Sequence, residues 1–337
     1  MKALGLLSGG LDSTLAVKLI LERGIDVEAI NFVTPFCLCR KGGCGASEAA
    51  KTFNIPLKMV SAGTDYLRVV RNPRFGYGKN LNPCVDCRIF MLKKAKKYAN
   101  EIGAKFIFTG EVIGQRPMSQ HKGALDLIEK EAGLEGKLLR PLSGKLLPKT
   151  EAEEKGYINK EALRDINGRS RKRQIEMTKE FNIVNYPCAA GGCLLTDKEF
   201  AAKLWDLFQH KKRVTVKEVN LLKVGRHFRF GDNKIIVGRN ETENGVLLRT
   251  KQKTDLYFEV PNCGSPTTIL RGPKTEAAVE MAASLTAFHS DKNEGMVQVS
   301  FGKDKLHKQI TIKVPSLVQV DALRMKLDKT KRRKAAV

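Results

Sequence analysis

The residues Ser8-Gly9-Gly10-Leu11-Asp12-Ser13 bring glycines, hydroxyls and a carboxylate together close to the start of the chain. Two glycines let backbone amides approach phosphate oxygens, and Ser8 and Ser13 add hydroxyl donors. A helix opening here adds the partial positive charge of its N-terminus. No Lys-Ser/Thr pair closes the segment, so it is not the loop of the phosphoryl-transfer nucleoside triphosphatases. The bland alternative is an ordinary tight turn. The residue set, at a strand–helix junction, argues for a phosphate cradle instead.

The second chemical feature is sulfur. Of eight cysteines, Cys84 and Cys87 form a C-x-x-C after Asn82-Pro83, and Cys193 follows two glycines. With no sign of a secreted scaffold elsewhere, reactive thiols or metal ligands are the leading uses. Three thiolates suit three irons of an iron–sulfur cluster. A persulfide on Cys193 resolved by Cys87, and a structural zinc with a fourth ligand, stand as alternatives. Cys188 is close enough in sequence to replace Cys193. Cys37, Cys39 and Cys44 read as a separate C-x-C-x4-C group near the nucleotide edge, without an evident fourth zinc ligand. Cys263 is isolated and reads as structural, and the histidines show no metal-like pairing.

These residues need a scaffold. Lys2–Leu7 reads as a strand, Ser13–Glu22 as a helix, and Ile25–Val33, Leu57–Ser61 and Lys105–Gly110 as further strands. Ile89, Leu92, Ala95, Ala99 and Ile102 form the buried stripe of a lysine-rich helix. Alternating strands and helices predict an α/β unit with a parallel sheet, whose ligands gather beyond the carboxyl ends of the strands. Pro148–Arg173 reads as charged and helical, and Glu199–Gln209 as a helix. After Val214 the texture becomes β-rich, with runs at Phe228–Phe230, Lys234–Val237, Val246–Arg249, Leu256–Val260 and Thr267–Leu270. A helix at Lys274–Phe288 and strands at Met296–Phe301 and Lys308–Val314 complete this α+β unit. The boundaries expected are 1–210, 215–315 and a basic tail over 316–337.

Ser8–Ser13 resembles the PP-loop of the ATP pyrophosphatase family, whose members release pyrophosphate and pass AMP to a carbonyl oxygen. The resemblance implies an adenine-nucleotide alpha-hydrolase-like fold, with ATP held by Ser8, Gly9, Gly10 and Ser13. It gives Asp12 the task of orienting the loop and assisting Mg2+. Asn82–Cys87 and Thr109-Gly110-Glu111 resemble parts of tRNA thiouridine synthases, which places Gly110 with the cofactor-binding residues. Gly114-Gln115 and Ser119-Gln120 resemble the 4-thiouridine synthases in particular. Tyr186-Pro187 and Ala190–Asp197 fit a thiouridylase-like branch with a third functional cysteine. The resemblance implies that Cys84, Cys87 and Cys193 hold a 4Fe-4S cluster whose fourth iron takes hydrosulfide, with Cys87 and Cys193 as the catalytic thiols. An enzyme without the RNA-binding module usual before the loop in 4-thiouridine synthases, and without a rhodanese-like carrier, is expected. Cysteine desulfurase or inorganic sulfide is the expected sulfur donor.

Charge points the same way. Sixty Lys and Arg against thirty-six Asp and Glu leave a formal net charge of +24, which favours a polyanionic partner through counterion release. Residues 223–272 resemble the small domain, predicted to bind RNA, at the C-terminus of ribosome-quality-control and fibronectin-binding-like proteins. Its Lys223, Arg226, Arg229, Arg249 and Arg271 are candidate phosphate contacts. Phe228 and Phe230 are candidates for base stacking or for the core. No apolar run is long enough to span a membrane, so a cytoplasmic enzyme acting on tRNA is expected. The function expected is uridine thiolation, with position 4 ahead of position 2. The rivals are a PP-loop ligase acting on a small molecule and a non-catalytic RNA-binding protein.

Overall fold

The computed structural model describes residues 1–37, 45–183 and 192–327. They divide into two compact units, one ending at Asp197 and the other starting at Lys198.

The first unit runs β1 (Lys2–Leu6), α1 (Leu11–Leu21), β2 (Asp26–Val33), α2 (Gly45–Thr52), β3 (Leu57–Ser61), α3 (Thr64–Arg71) and α4 (Cys84–Glu101). It continues with β4 (Ile107–Thr109), α5 (Lys122–Ala132), β5 (Leu138–Leu139), α6 (Glu151–Glu154) and α7 (Lys172–Glu180). The strands form one sheet of order β3-β2-β1-β4-β5, and every neighbouring pair is parallel. β1 is apolar almost throughout because both of its faces are covered. Ala3 and Leu7 face a core with α1, α2 and α7, while Leu4 and Leu6 face one with α4 and α5. The chain moves outward to β2 and β3, then returns to the other side of β1 as β4. That reversal opens a crevice at the carboxyl ends of β1 and β4, where the two phosphate-apt glycine segments lie.

The expected α/β class is therefore borne out, with local corrections. Pro148–Arg173 is not a continuous helix. It holds the short α6, a 3-10 turn at Lys160–Ala162 and irregular chain, because Gly156 and the turn-forming Asn159 interrupt the charged run.

The second unit runs α8 (Lys198–His210), α9 (Val216–Leu221), β6 (Arg226–Phe230), β7 (Asn233–Val237), α10 (Glu241–Thr250), β8 (Leu256–Glu259) and β9 (Thr268–Arg271). α11 (Glu276–Phe288), β10 (Met296–Gly302), β11 (Lys308–Lys313) and α12 (Leu317–Ala322) follow. Its sheet has the order β11-β10-β8-β9-β7-β6 and is antiparallel at every pairing. α11 buries Ala278, Ala282, Ala283 and Leu285 against one face, and Leu247 of α10 packs with Ile236 and Ile269 on the other.

Three expectations change here. Val246–Arg249 belongs to a helix, capped by Asn240 accepting from the Glu243 amide. α8 sits with the second unit, held by Arg229 to Asp206 and by Lys203 to the carbonyls of Leu222 and Gly225. Residues 316–324 are part of the fold rather than of a tail, since Val320 is fully buried and the Arg229 amide bonds the Leu323 carbonyl at 3.0 Å. Among the described residues, no helix is long and apolar enough to cross a membrane.

Candidate active site

The glycine loop sits where β1 gives way to α1. Gly9 takes a left-handed φ of +76°, and a Cβ there would lie 2.2 Å from the backbone of Gly45 and Ala46. Gly10 precedes a helix whose first amides have no side-chain cap, leaving donors for an anion. Ser13 Oγ donates to the Gly10 carbonyl at 2.9 Å, accepts from the Ser8 amide at 3.2 Å and lies 3.1 Å from Ser8 Oγ. Both hydroxyls therefore brace the turn.

Gly110 follows β4, and its backbone packs directly on the loop. A Cβ at Gly110 would stand 2.5 Å from Asp12 and Ser13 backbone atoms. Its missing side chain lets β4 come close to the first turn of α1. Next to it, burial would raise the Glu111 carboxyl, but Arg88 and Arg140 hold it below the ordinary range. The pairs are 3.2 Å each.

Asp12 is held from outside the motif. Gln115 Nε2 donates to it at 2.8 Å and Gln174 Nε2 at 3.3 Å, with Arg171 at 3.8 Å. Both glutamines are buried. Gln115 had a signal in its Gly114-Gln115 segment. Gln174 and Arg171 lay unmarked in a charged stretch.

Three segments bring the thiols together. Cys84 opens α4 and Cys87 lies one turn later, on the same side of the helix. The segment 192–197 docks beside them, with the Leu81 amide on the Leu195 carbonyl at 3.1 Å and Asn80 Nδ2 on the Thr196 carbonyl at 2.8 Å. The chain leaving β2 then pairs with the same segment through an antiparallel bridge between Cys37 and Cys193. Tyr66, buried on α3, donates its hydroxyl to Cys87 Sγ at 3.0 Å. Cys37, Cys87 and Cys193 all act on the Tyr66 hydroxyl electrostatically, and Cys84 acts on Cys87 and Cys193.

Cys37 is thus a fourth member of the group that sequence reasoning had set apart. Cys39, Cys44 and Cys188 lie outside the described residues. Burial pushes the Cys84, Cys87 and Cys193 thiols up, Cys193 to about 12, against the lowering effects of Arg116 and Arg88 on Cys84 and of Tyr66 on Cys87. Among the described residues, no group of three or more His, Cys, Asp or Glu is arranged to hold a single metal ion. Cys263, in the second unit, packs against the core there.

The Arg116 guanidinium is within electrostatic reach of both Asp12 and Cys84, with Arg88 and Arg171 nearby. In the sequence Arg88 and Arg171 stood only within basic runs and Arg116 had no signal at all.

Residues 1–151 match the family model described as thiamine biosynthesis protein (ThiI). The first 151 residues are ThiI-like. Residues 225–322 match the model of the NFACT protein RNA binding domain. The resemblances drawn from the loop and from the C-terminal motifs are borne out, while Cys193 lies outside both matched ranges. A probable tRNA sulfurtransferase of Ureaplasma parvum is 31% identical over 116 residues, which cover 34% of this chain and 30% of that protein. The chain thus spans about a third of the length of such relatives. The tRNA-specific 2-thiouridylase MnmA of Marinobacter nauticus is 24% identical over 279 residues, covering 73% of this chain and 68% of that one. Among solved structures, a 4-thiouridine synthetase–RNA complex with bound ATP matches with a TM-score of 0.36 at 23% identity, over 66% of this chain and 52% of that one.

In the NFACT-like unit, several expected RNA contacts have other partners. Arg229 makes a paired contact with Asp206, and Arg271 with the buried Asp255. Phe228 is 1% exposed and belongs to the core, with Phe230 packed against it.

Proposed function

We propose that this protein is a tRNA sulfurtransferase that activates a uridine carbonyl with ATP and replaces its oxygen with sulfur. The observation that carries the reading is the glycine loop at the β1–α1 junction, with Gly110 packed on its backbone and Asp12 held by Gln115 Nε2 at 2.8 Å. A phosphate cradle and a group of thiols within one unit suit a two-step substitution. The likeness to probable tRNA sulfurtransferases and the match to an RNA binding domain support tRNA as the substrate.

In this reading the α1 amides, Gly9, Gly10 and the Ser8 and Ser13 hydroxyls cradle the pyrophosphate of ATP. Gln115 and Gln174 hold Asp12, which keeps the loop in place and has lone pairs left for Mg2+. The uridine carbonyl oxygen attacks the α-phosphorus and pyrophosphate leaves. Sulfur then adds to the adenylated carbon and AMP leaves, carrying the original oxygen. Arg116 and Arg88 offset negative charge between the two sites.

Cys84, Cys87 and Cys193 offer thiols, which would bind the irons of a 4Fe-4S cluster as thiolates on losing their protons. The cluster spreads its ligands over separate irons, so it does not need them gathered about one ion. Bound there, it would supply an iron that can carry hydrosulfide, taken from inorganic sulfide or from a cysteine desulfurase's persulfide once a thiol has reduced it. The resemblance of the Gly114–Gln120 segment to 4-thiouridine synthases favours 4-thiouridine as product. The longer likeness to a 2-thiouridylase supports position 2 as the second reading.

The test is pyrophosphate release. Purified protein with ATP and tRNA should release it only when tRNA is present. Asp12→Ala should slow the release by about 100-fold, since a misplaced catalytic loop costs that much, while circular dichroism stays unchanged. Normal turnover in the variant would remove the loop from the mechanism.

A further inference from the structure

Cys37 and Cys193 face each other across the bridge that joins the end of β2 to the 192–197 segment. The Leu194 amide donates to the Phe36 carbonyl at 3.0 Å, one residue before Cys37 and one after Cys193. That flanking bond marks the two cysteines as a non-hydrogen-bonded antiparallel pair. In such pairs the Cα atoms lie about 4.5 Å apart and the side chains approach most closely. A disulfide needs Cα atoms roughly 4.4–6.8 Å apart, so the backbone already has the required spacing. Cys37 Sγ is held by Thr34, whose amide donates to it at 3.3 Å and whose hydroxyl lies 3.3 Å away. Both cysteines are free thiols and only half-buried.

We propose that Cys37 and Cys193 form a reversible disulfide site that responds to small-molecule disulfides and withdraws Cys193 from sulfur chemistry. The Cys37 thiolate attacks a low-molecular-weight disulfide, forming a mixed disulfide and releasing one thiolate. The Cys193 thiolate then attacks the Cys37 sulfur, the protein S–S bond forms, and the second small thiolate leaves. Two protein thiols are oxidised, one small disulfide is reduced to two thiols, and the two protons pass to the leaving groups. A dithiol reverses the exchange.

The pairing stands on the bridge geometry alone. Its consequence for metal loading rests on the cluster reading above, because Cys193 cannot be a disulfide partner and an iron ligand together. Cys87 is the obvious competitor for Cys193, and it is already engaged by the Tyr66 hydroxyl.

The experiment uses the full-length, metal-free protein treated with glutathione disulfide, followed by non-reducing peptide mass mapping. A Cys37–Cys193 linkage is expected, together with loss of iron uptake on reconstitution and its return with dithiothreitol. Cys37→Ser should lack the linkage and keep its iron uptake after the same treatment. Linkage of Cys193 to Cys87, no linkage at all, or equal loss of iron uptake in Cys37→Ser would overturn the proposal. If the linkage forms but the reduced protein takes up no iron, the pair stands and the cluster reading falls.

Discussion

Cys84, Cys87 and Cys193 show what residue types reveal and what they leave out. The C-x-x-C after a proline is legible because its spacing places both thiols on one side of a helix start. Cys193 is legible as a candidate from the two glycines before it, but its grouping with Cys84 and Cys87 comes through resemblance, since it lies more than a hundred residues away. Cys37 could not be read as their neighbour, because that depends on two chain segments pairing in space. Gln174 and Arg171 were hidden for the same reason: their roles arise when α7 packs against α1. The cluster reading makes a prediction at this scale. Protein purified without oxygen should be brown, with about four irons and four sulfides per chain. Alanine at Cys84, Cys87 or Cys193 should bleach it. A colourless or zinc-only protein that still thiolates tRNA would shift sulfur delivery to a persulfide route.

Most strands and helices of the first sheet were readable, including the short buried β1 and β4, whereas some short apolar runs were assigned to the wrong element. α1, β2, β3 and α11 follow from periodicity and their turn residues. Val246–Arg249 was misread because a short apolar run has no period of its own, and the Asn240 cap decides the matter. β7 shows a different kind of constraint. Lys234 lies opposite Arg229 on β6 and Arg271 on β9, so three cations share a cross-strand row, with Asp206 and Asp255 as anionic partners of the arginines. Like charges in such a row oppose one another. Burial, with Arg229 and Arg271 beside it, pulls the Lys234 amine down to about 7 despite Asp206. The unfolded chain then binds a proton that the folded chain lacks between roughly pH 7 and 10, so stability from this group rises with pH across that window and falls as pH drops through 7. Lys234→Met should raise Tm at pH 7 and flatten its rise toward pH 9.5. An unchanged Tm–pH slope in the variant would show that the lysine is solvated.

For the whole molecule, a formal net charge of +24 and an NFACT-like unit imply RNA binding dominated by phosphates. The structure narrows which cations are available, because Arg229 and Arg271 are committed to Asp206 and Asp255. Arg249 on α10 is exposed and Arg226 on β6 half-buried. Reversing both, as Arg226→Glu with Arg249→Glu, should weaken tRNA binding and reduce the salt slope by about two. An unchanged slope would move the phosphate contacts to other lysines and arginines. A small-molecule ligase has no use for this charge, and a non-catalytic RNA binder has no use for an intact loop braced by Ser8, Ser13, Gln115 and Gln174. The central claim is thiolation of tRNA, and nucleoside mass spectrometry of tRNA from cells with and without the gene tests it most directly. Chromatography separates the two isomers, so one experiment also reads the position. The account predicts loss of 4-thiouridine with 2-thiouridine unchanged. Loss of 2-thiouridine alone would reverse the choice of position, and unchanged levels of both would contradict the account.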